Sequence, residues 1–123
     1  NEEYTSVAKK YFDKSDYKKN IIQHIGNAVD IIQKLDYKFQ LAFIDADKEN
    51  YSNYFDLIIE KIDVGGYIIA DNVLWSGKVT EENKDEETMA LDNYNKKVFS
   101  DKRVETVLLP VRDGLNISRK ISN

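Results

Sequence analysis

Two apolar runs in this chain end in oxygen-bearing side chains, and that pairing restricts the folds open to it. Phe43-Ile44-Asp45-Ala46-Asp47-Lys48 closes the first run, and Asp71-Asn72 closes the second 26 residues after Asp45. Short apolar stretches with little alternation suit strands covered on both faces, the usual state of a parallel sheet. Parallel strands share one carboxyl edge, where ligands bind in a crevice. Asp45, Asp71 and Asn72 are therefore expected to meet in one pocket. Their three hard oxygens suit a Mg²⁺-like ion, leaving three octahedral positions for water or a bidentate substrate.

The length, 123 residues, suits one domain of ordinary size, and 41% hydrophobic with 33% charged residues is a globular balance. A net charge of −4 and basic runs no longer than two residues remove the footprint of an avid nonspecific nucleic-acid binder. No cysteine is present, so thiolate metal sites and disulfides are ruled out, and any metal must be held by oxygen or by His24. No apolar stretch approaches the ~20 residues that span a bilayer. A soluble, cytoplasmic protein with no membrane partner is expected. Met89 is the only methionine, so Asn1 is expected not to be a translation start.

The remaining pattern alternates β and α. Residues 4–13 read as the tail of an amphipathic helix, with Glu2 and Glu3 at its positive end. Residues 20–26 read as a short strand ended by Gly26, and 28–35 as a short helix. Phe39–Ile44 reads as a strand covered on both faces. A helix over 51–62 follows, with Tyr51, Tyr54, Phe55, Ile58, Ile59 and Ile62 on its apolar side and Gly65-Gly66 ending it. Residues 67–70 form the next strand, 73–79 a loop, and 89–99 a helix. Strands over 104–109 and 115–121 flank Arg112-Asp113-Gly114 as an antiparallel hairpin. The fold class is α/β, with a mostly parallel sheet and an antiparallel C-terminal edge.

Each chemical reading has a plainer rival. A strand-end Asp is often just the cap of the helix or turn that follows. Lys48, three residues past Asp45, is either a solvated lysine or a general base whose pKa a metal and partial burial depress. Trp75 either walls an aromatic substrate or plugs the rim of the core, and Tyr51 carries the same ambiguity. His24 lies inside its strand rather than at the end, which favours a core or edge histidine over a ligand.

The linked blocks Phe43 to Lys48 with Asn50-Tyr51, Gly65-Gly66, Ala70 to Gly77, Val107 to Pro110 and Asp113 to Leu115 closely resemble the cation-dependent O-methyltransferases, the caffeoyl-CoA and catechol O-methyltransferase group. The resemblance covers essentially the whole chain. It implies a Rossmann-like class I fold that uses S-adenosylmethionine and a divalent cation, with Mg²⁺ favoured over Ca²⁺ or Mn²⁺. It also implies Asp45, Asp71 and Asn72 as metal ligands, Lys48 as catalytic base, and Ala28 and Asp47 as cofactor contacts. Asn27 stands where the family usually has an aspartate at the adenine, keeping the hydrogen bond and dropping the charge. Asp45, Trp75 and Ser76 fall on the substrate side. Some plant members carry an asparagine at the position of Ser76, so substrate identity is not carried over.

By the same resemblance, residues 1–123 are a partial methyltransferase domain without the N-terminal glycine-rich cofactor loop. The strand near 20–25 would be the family's third, separated from 39–44 by two absent strands, so open strand edges and bare apolar faces are expected. The implied reaction of the intact protein is methylation of one hydroxyl of a vicinal-diol aromatic, of catechol or caffeoyl type. This piece alone is expected to be inactive, and the intact protein is expected to be a homodimer. Two alternatives stay open. One is methylation of hydroxylated uridine in tRNA, and the other is a noncatalytic metal-binding or oligomerisation module.

Overall fold

The computed structural model describes residues 2–123, which form two compact units, one ending at Lys34 and the other running from Leu35 to Asn123. No helix among the described residues is long and apolar enough to cross a membrane.

The first unit holds helix α1 (Glu2–Lys14), a 3-10 turn (Lys18–Asn20) and helix α2 (Ala28–Lys34). Acidic Glu2 and Glu3 sit in the first turn of α1 and Lys14 in its last, the arrangement its dipole favours. Asn27 caps α2, its Oδ1 accepting the Asp30 N–H at 3.3 Å. The expected strand over 20–26 is not formed. Ile21 is extended (φ −102°, ψ 118°), but a strand is a hydrogen-bonded pairing, and these residues pair with no other strand among the described ones. His24 is accordingly exposed rather than a core or edge histidine.

The second unit is a four-stranded sheet with helices α3 (Tyr51–Ile59) and α4 (Glu86–Ser100). Strands β1 (Phe39–Ile44), β2 (Ile62–Asp71), β3 (Val104–Leu109) and β4 (Leu115–Lys120) lie in the order β1-β2-β4-β3. β1 and β2 pair in parallel, whereas β4 is antiparallel to both β2 and β3. Three strands thus run one way and β4 the other. The hairpin is therefore not simply an edge: β4 fills an interior slot and β3 takes the rim.

Tyr51, Tyr54, Phe55, Ile58 and Ile59 are buried, as the helical spacing predicts. Burying each of the larger apolar side chains contributes about 1.5–3 kcal/mol. The Tyr94 ring from α4 meets Tyr51 and Phe55 edge-on, with centroids 5.5 and 6.3 Å apart. Helix α3 stops at Ile59 rather than at Ile62, because Ile62 already pairs with Phe39 in the sheet. Gly65-Gly66 consequently lies inside β2 and does not end the helix. Phe39 faces Ile62 while Leu41 faces Tyr67, so β2 bulges between these pairs. A Cβ on Gly66 would stand 2.8 Å from the Gln40 carbonyl oxygen. Only glycine lets the two backbones pass so closely.

β1 is not covered on both faces. Leu41 and Phe43 are each 57% exposed, and Tyr67, Val107 and Leu109 on the same side of the sheet are exposed as well. The packed helices serve the other side, where Ile44, Ile68, Ala70 and Ser118 are buried.

Lys120 is buried and donates to the carbonyls of Ile59 at 2.9 Å and Ile62 at 3.1 Å, where α3 turns into β2. Its cation meets the negative end of the helix and satisfies two buried acceptors. Replacement Lys120→Met is expected to cost about 2–3 kcal/mol in urea unfolding, because those carbonyls lose a charged donor.

On α4, Asp92 binds Lys84 and also Lys96, the latter at 2.8 Å, and these two contacts hold its carboxyl below the usual carboxylate range. A depressed folded-state pKa contributes stability that is present above the unfolded value of 3.8 and is lost as pH falls through the folded one. The stability gap between wild type and Asp92→Asn is expected to be up to about 1 kcal/mol at pH 7. It should shrink toward zero as unfolding is measured at successively lower pH below the unfolded value.

Candidate active site

Register makes the site. Ile44 lies beside Ala70 in the parallel β1–β2 ladder, so the residues that follow, Asp45 and Asp71-Asn72, leave the sheet side by side. A 3-10 turn (Lys48–Asn50) then carries Lys48 back over the edge. Lys48 is buried, although Asp45 is exposed and Asp71 and Asn72 are only half-buried. Its Nζ lies 2.6 Å from the Tyr51 hydroxyl, 3.3 Å from Asn72 Oδ1 and 3.4 Å from Asp45 Oδ1. The half-buried Trp75 ring is centred 5.6 Å from the same nitrogen, within cation–π reach.

Tyr51 resolves its ambiguity on the core side. It is fully buried, and its hydroxyl accepts from Lys48 while donating to the Asp71 carbonyl at 2.9 Å. That single oxygen joins the two strand ends. The signal was present in the spacing, since Lys48 and Tyr51 are three residues apart at a helix start and so share a face.

Burial pulls the Lys48 pKa down, as expected, but the hydrogen bonds and charges of Tyr51 and Asp45 outweigh it and the net direction is upward. Burial alone therefore does not depress this lysine; the expected depression also called on a metal beside it. Burial also pushes the Tyr51 hydroxyl up.

Asp47 is exposed and engaged locally. Tyr54 donates to its Oδ1 at 2.6 Å and the Asn50 amide to its Oδ2. These contacts hold its carboxyl below the usual range, and burial followed by Asp47 pushes Tyr54 up to about 12. Asn27 and Ala28 belong to the first unit, at the start of α2. Ser76 is exposed.

The loop after β2 is conformationally costly. Asn72, Trp75 and Ser76 all have positive φ, at 59°, 49° and 55°. Non-glycine residues held there cost about 1–3 kcal/mol each and persist only when the surroundings over-determine them. One restraint comes from α4, where Asn95 Nδ2 donates to the Val73 carbonyl at 2.7 Å.

Among the described residues no three His, Cys, Asp or Glu side chains gather in metal-binding reach. The expected donor set is of another kind, two carboxylates and an amide. Oxygens of Asp45 and Asn72 both reach the Lys48 ammonium, so they already converge on one small cation. Asp71 Oδ1 accepts the Asn72 N–H at 2.7 Å, which anchors that carboxylate beside them. An all-oxygen donor set of this kind fits a hard divalent ion.

A sheet carrying its polar site at the ends of two adjacent parallel strands is the architecture of an open α/β enzyme domain. The O-methyltransferase family profile matches residues 1–121, and the chain belongs to that family. It is 36% identical over 127 aligned residues to a Dictyostelium discoideum protein named "Probable caffeoyl-CoA O-methyltransferase 2", covering 98% of this chain and 55% of that protein. It is 40% identical over 91 residues to the caffeoyl-CoA O-methyltransferase of Mesembryanthemum crystallinum, covering 68% and 36%. Among solved structures, the O-methyltransferase of Bacillus cereus in complex with SAH aligns with a TM-score of 0.70 at 26% identity, covering 79% of this chain and 49% of that one. The chain spans about half the length of the curated relatives it matches.

Tyr51→Phe removes the one hydroxyl bridging Lys48 and Asp71. Urea unfolding is expected to show a loss of about 1–3 kcal/mol, since a buried ammonium and a carbonyl each lose a partner.

Proposed function

We propose that this chain forms the metal and acceptor side of an S-adenosylmethionine-dependent O-methyltransferase whose substrate is an aromatic vicinal diol. The observation that carries the reading is the convergence of Asp45, Asn72 and Tyr51 on the buried Lys48 nitrogen beside the Trp75 ring. The names of the caffeoyl-CoA O-methyltransferase relatives support the acceptor class, and the SAH-bound neighbour supports the cofactor.

Asp45, Asp71 and Asn72 would hold the divalent cation, with Mg²⁺ the natural choice for so open an oxygen set. When bound, the cation supplies Lewis acidity to the diol oxygens and S-adenosylmethionine supplies the methyl group. Asn27, Ala28 and Asp47 are assigned to the cofactor. Trp75 walls the acceptor ring and keeps water from it, while Ser76 lies at the outer rim. Lys48 receives the hydroxyl proton at Nζ, its place set by the Tyr51 hydroxyl. Its contacts with Asp45 and Tyr51 favour the charged form, so the nitrogen must give up a proton, and with it part of its hold on Asp45, before it accepts another. Dimerisation of the intact protein belongs to the same reading.

The test is methyl transfer by the complete protein to catechol and caffeoyl acceptors, with bulk tRNA as the competing substrate. Lys48→Ala is expected to lower kcat by about 10²- to 10⁴-fold, the usual contribution of a positioned base. Asp71→Ala and chelation by EDTA should both abolish turnover, with Mg²⁺ restoring only the chelated wild type. Chelator-insensitive activity would remove the metal role. Methylation of tRNA with none of catechol would replace the substrate, and no transfer to either would leave a metal-binding module.

A further inference from the structure

In the sequence Asp113-Gly114 is part of a hairpin turn and of one block of the family resemblance, and neither reading gives it a role in the site. In the fold this turn, between β3 and β4, lies against the loop that carries Asn72 and Trp75. Three hydrogen bonds join them. The Val73 N–H donates to the Gly114 carbonyl at 3.2 Å and the Leu74 N–H to the Asp113 carbonyl at 3.0 Å, while the Ser76 N–H donates to the Asp113 carboxylate. Packing is equally close, since a Cβ on Gly114 would stand 2.5 Å from Leu74 Cγ, and Gly114 has φ +85°. The turn therefore has no room for another residue at 114.

These contacts fall on the peptide groups that need them. Asn72, Trp75 and Ser76 are the three loop residues in the left-handed region, and the bonded N–H groups belong to Val73, Leu74 and Ser76 around them. Such a conformation survives only where its surroundings enforce it. Within this set the Asp113 carboxylate makes the one side-chain contact, and an ionised acceptor on a backbone N–H is stronger than a neutral one. The bond to Val73 fixes the peptide that follows Asn72, and the bond to Ser76 fixes the one that follows Trp75.

We infer that Asp113 is a positioning residue: by clamping residues 73–76 it sets where Asn72 Oδ1 and the Trp75 ring stand over Lys48. It touches no reacting atom. The inference deepens the proposed metal and acceptor site and rests on that reading for its consequence, though not for the clamp itself.

Trp75 is the only tryptophan in the chain, so its fluorescence reports the loop directly. Emission and Mg²⁺ titration are compared for wild type, Asp113→Ala and Asp113→Asn, with far-UV circular dichroism as the check on folding. Asn keeps the Oδ1 acceptor and loses only the charge. Asp113→Ala is expected to move the Trp75 emission to longer wavelength and to weaken Mg²⁺ binding about tenfold. Asp113→Asn should stay close to wild type in emission. Should the alanine variant lose its circular dichroism, Asp113→Glu replaces it, moving the acceptor by one methylene while keeping the charge, and the same emission shift is expected. Emission identical in wild type and the Ala or Glu variant overturns the clamp, as does an Asn variant displaced as far as Ala. A wild-type chain that shows no response to Mg²⁺ overturns the metal reading instead, and the metal-free emission still decides the role of Asp113.

Discussion

The parallel pairing of β1 with β2, with Ile44 against Ala70, is the constraint from which the rest of the site follows. A shift of one residue would turn every side chain of β1 to the opposite face and carry Asp45 away from Asp71-Asn72. The bulge at Gly65-Gly66 absorbs the extra residues of β2 while the paired register beyond it runs unbroken from Leu41 to Ile44. Buried Tyr51 then ties the two strand ends together through Lys48 and the Asp71 carbonyl. Fold stability and site geometry share that one hydroxyl.

A second coupling runs through the hairpin. β4 pairs with β2 as far as Asp71 against Leu115, so the turn before β4 arrives beside the loop after β2. The strained residues 72, 75 and 76 belong to a loop tied by hydrogen bonds both to that turn and to Asn95 of α4. Residues from four separate stretches of chain thus decide how two strand ends present their oxygens. The lysine at their centre is held charged by the groups that burial has gathered around it, which is why its pKa goes up where burial alone would send it down.

Much of this was legible beforehand, and the misses share a cause. The apolar spacing of α3 and the runs of β1 and the hairpin could be read because helix and strand periodicities are local. Asp45, Asp71, Asn72 and Lys48 were legible as strand-end groups. The strand over 20–26 was misread because β-type composition states a capacity to pair, and pairing requires a neighbour. Gly65-Gly66 looked like a helix stop because a bulge and a terminator use the same residue for the same conformational freedom. The exposed side of β1 agrees with the bare apolar faces that the family resemblance implies; its unbroken hydrophobicity alone pointed to two covered faces, because such a run records what a strand is fit to bury and not what covers it.

From its order of residues alone the chain settled an α/β class, an oxygen-only set of candidate ligands and the lysine beside them, since these depend on residue type and on periodicities of a few residues. Tertiary structure decided which groups meet. Tyr51 became a bridge rather than a substrate wall, Lys48 a buried partner of Asp45 and Asn72, and Asp113 a neighbour of the Trp75 loop, because each depends on strands distant in sequence being hydrogen-bonded in one register. Contacts of that kind arise from backbone pairing and close packing across the sheet, and no local pattern encodes them.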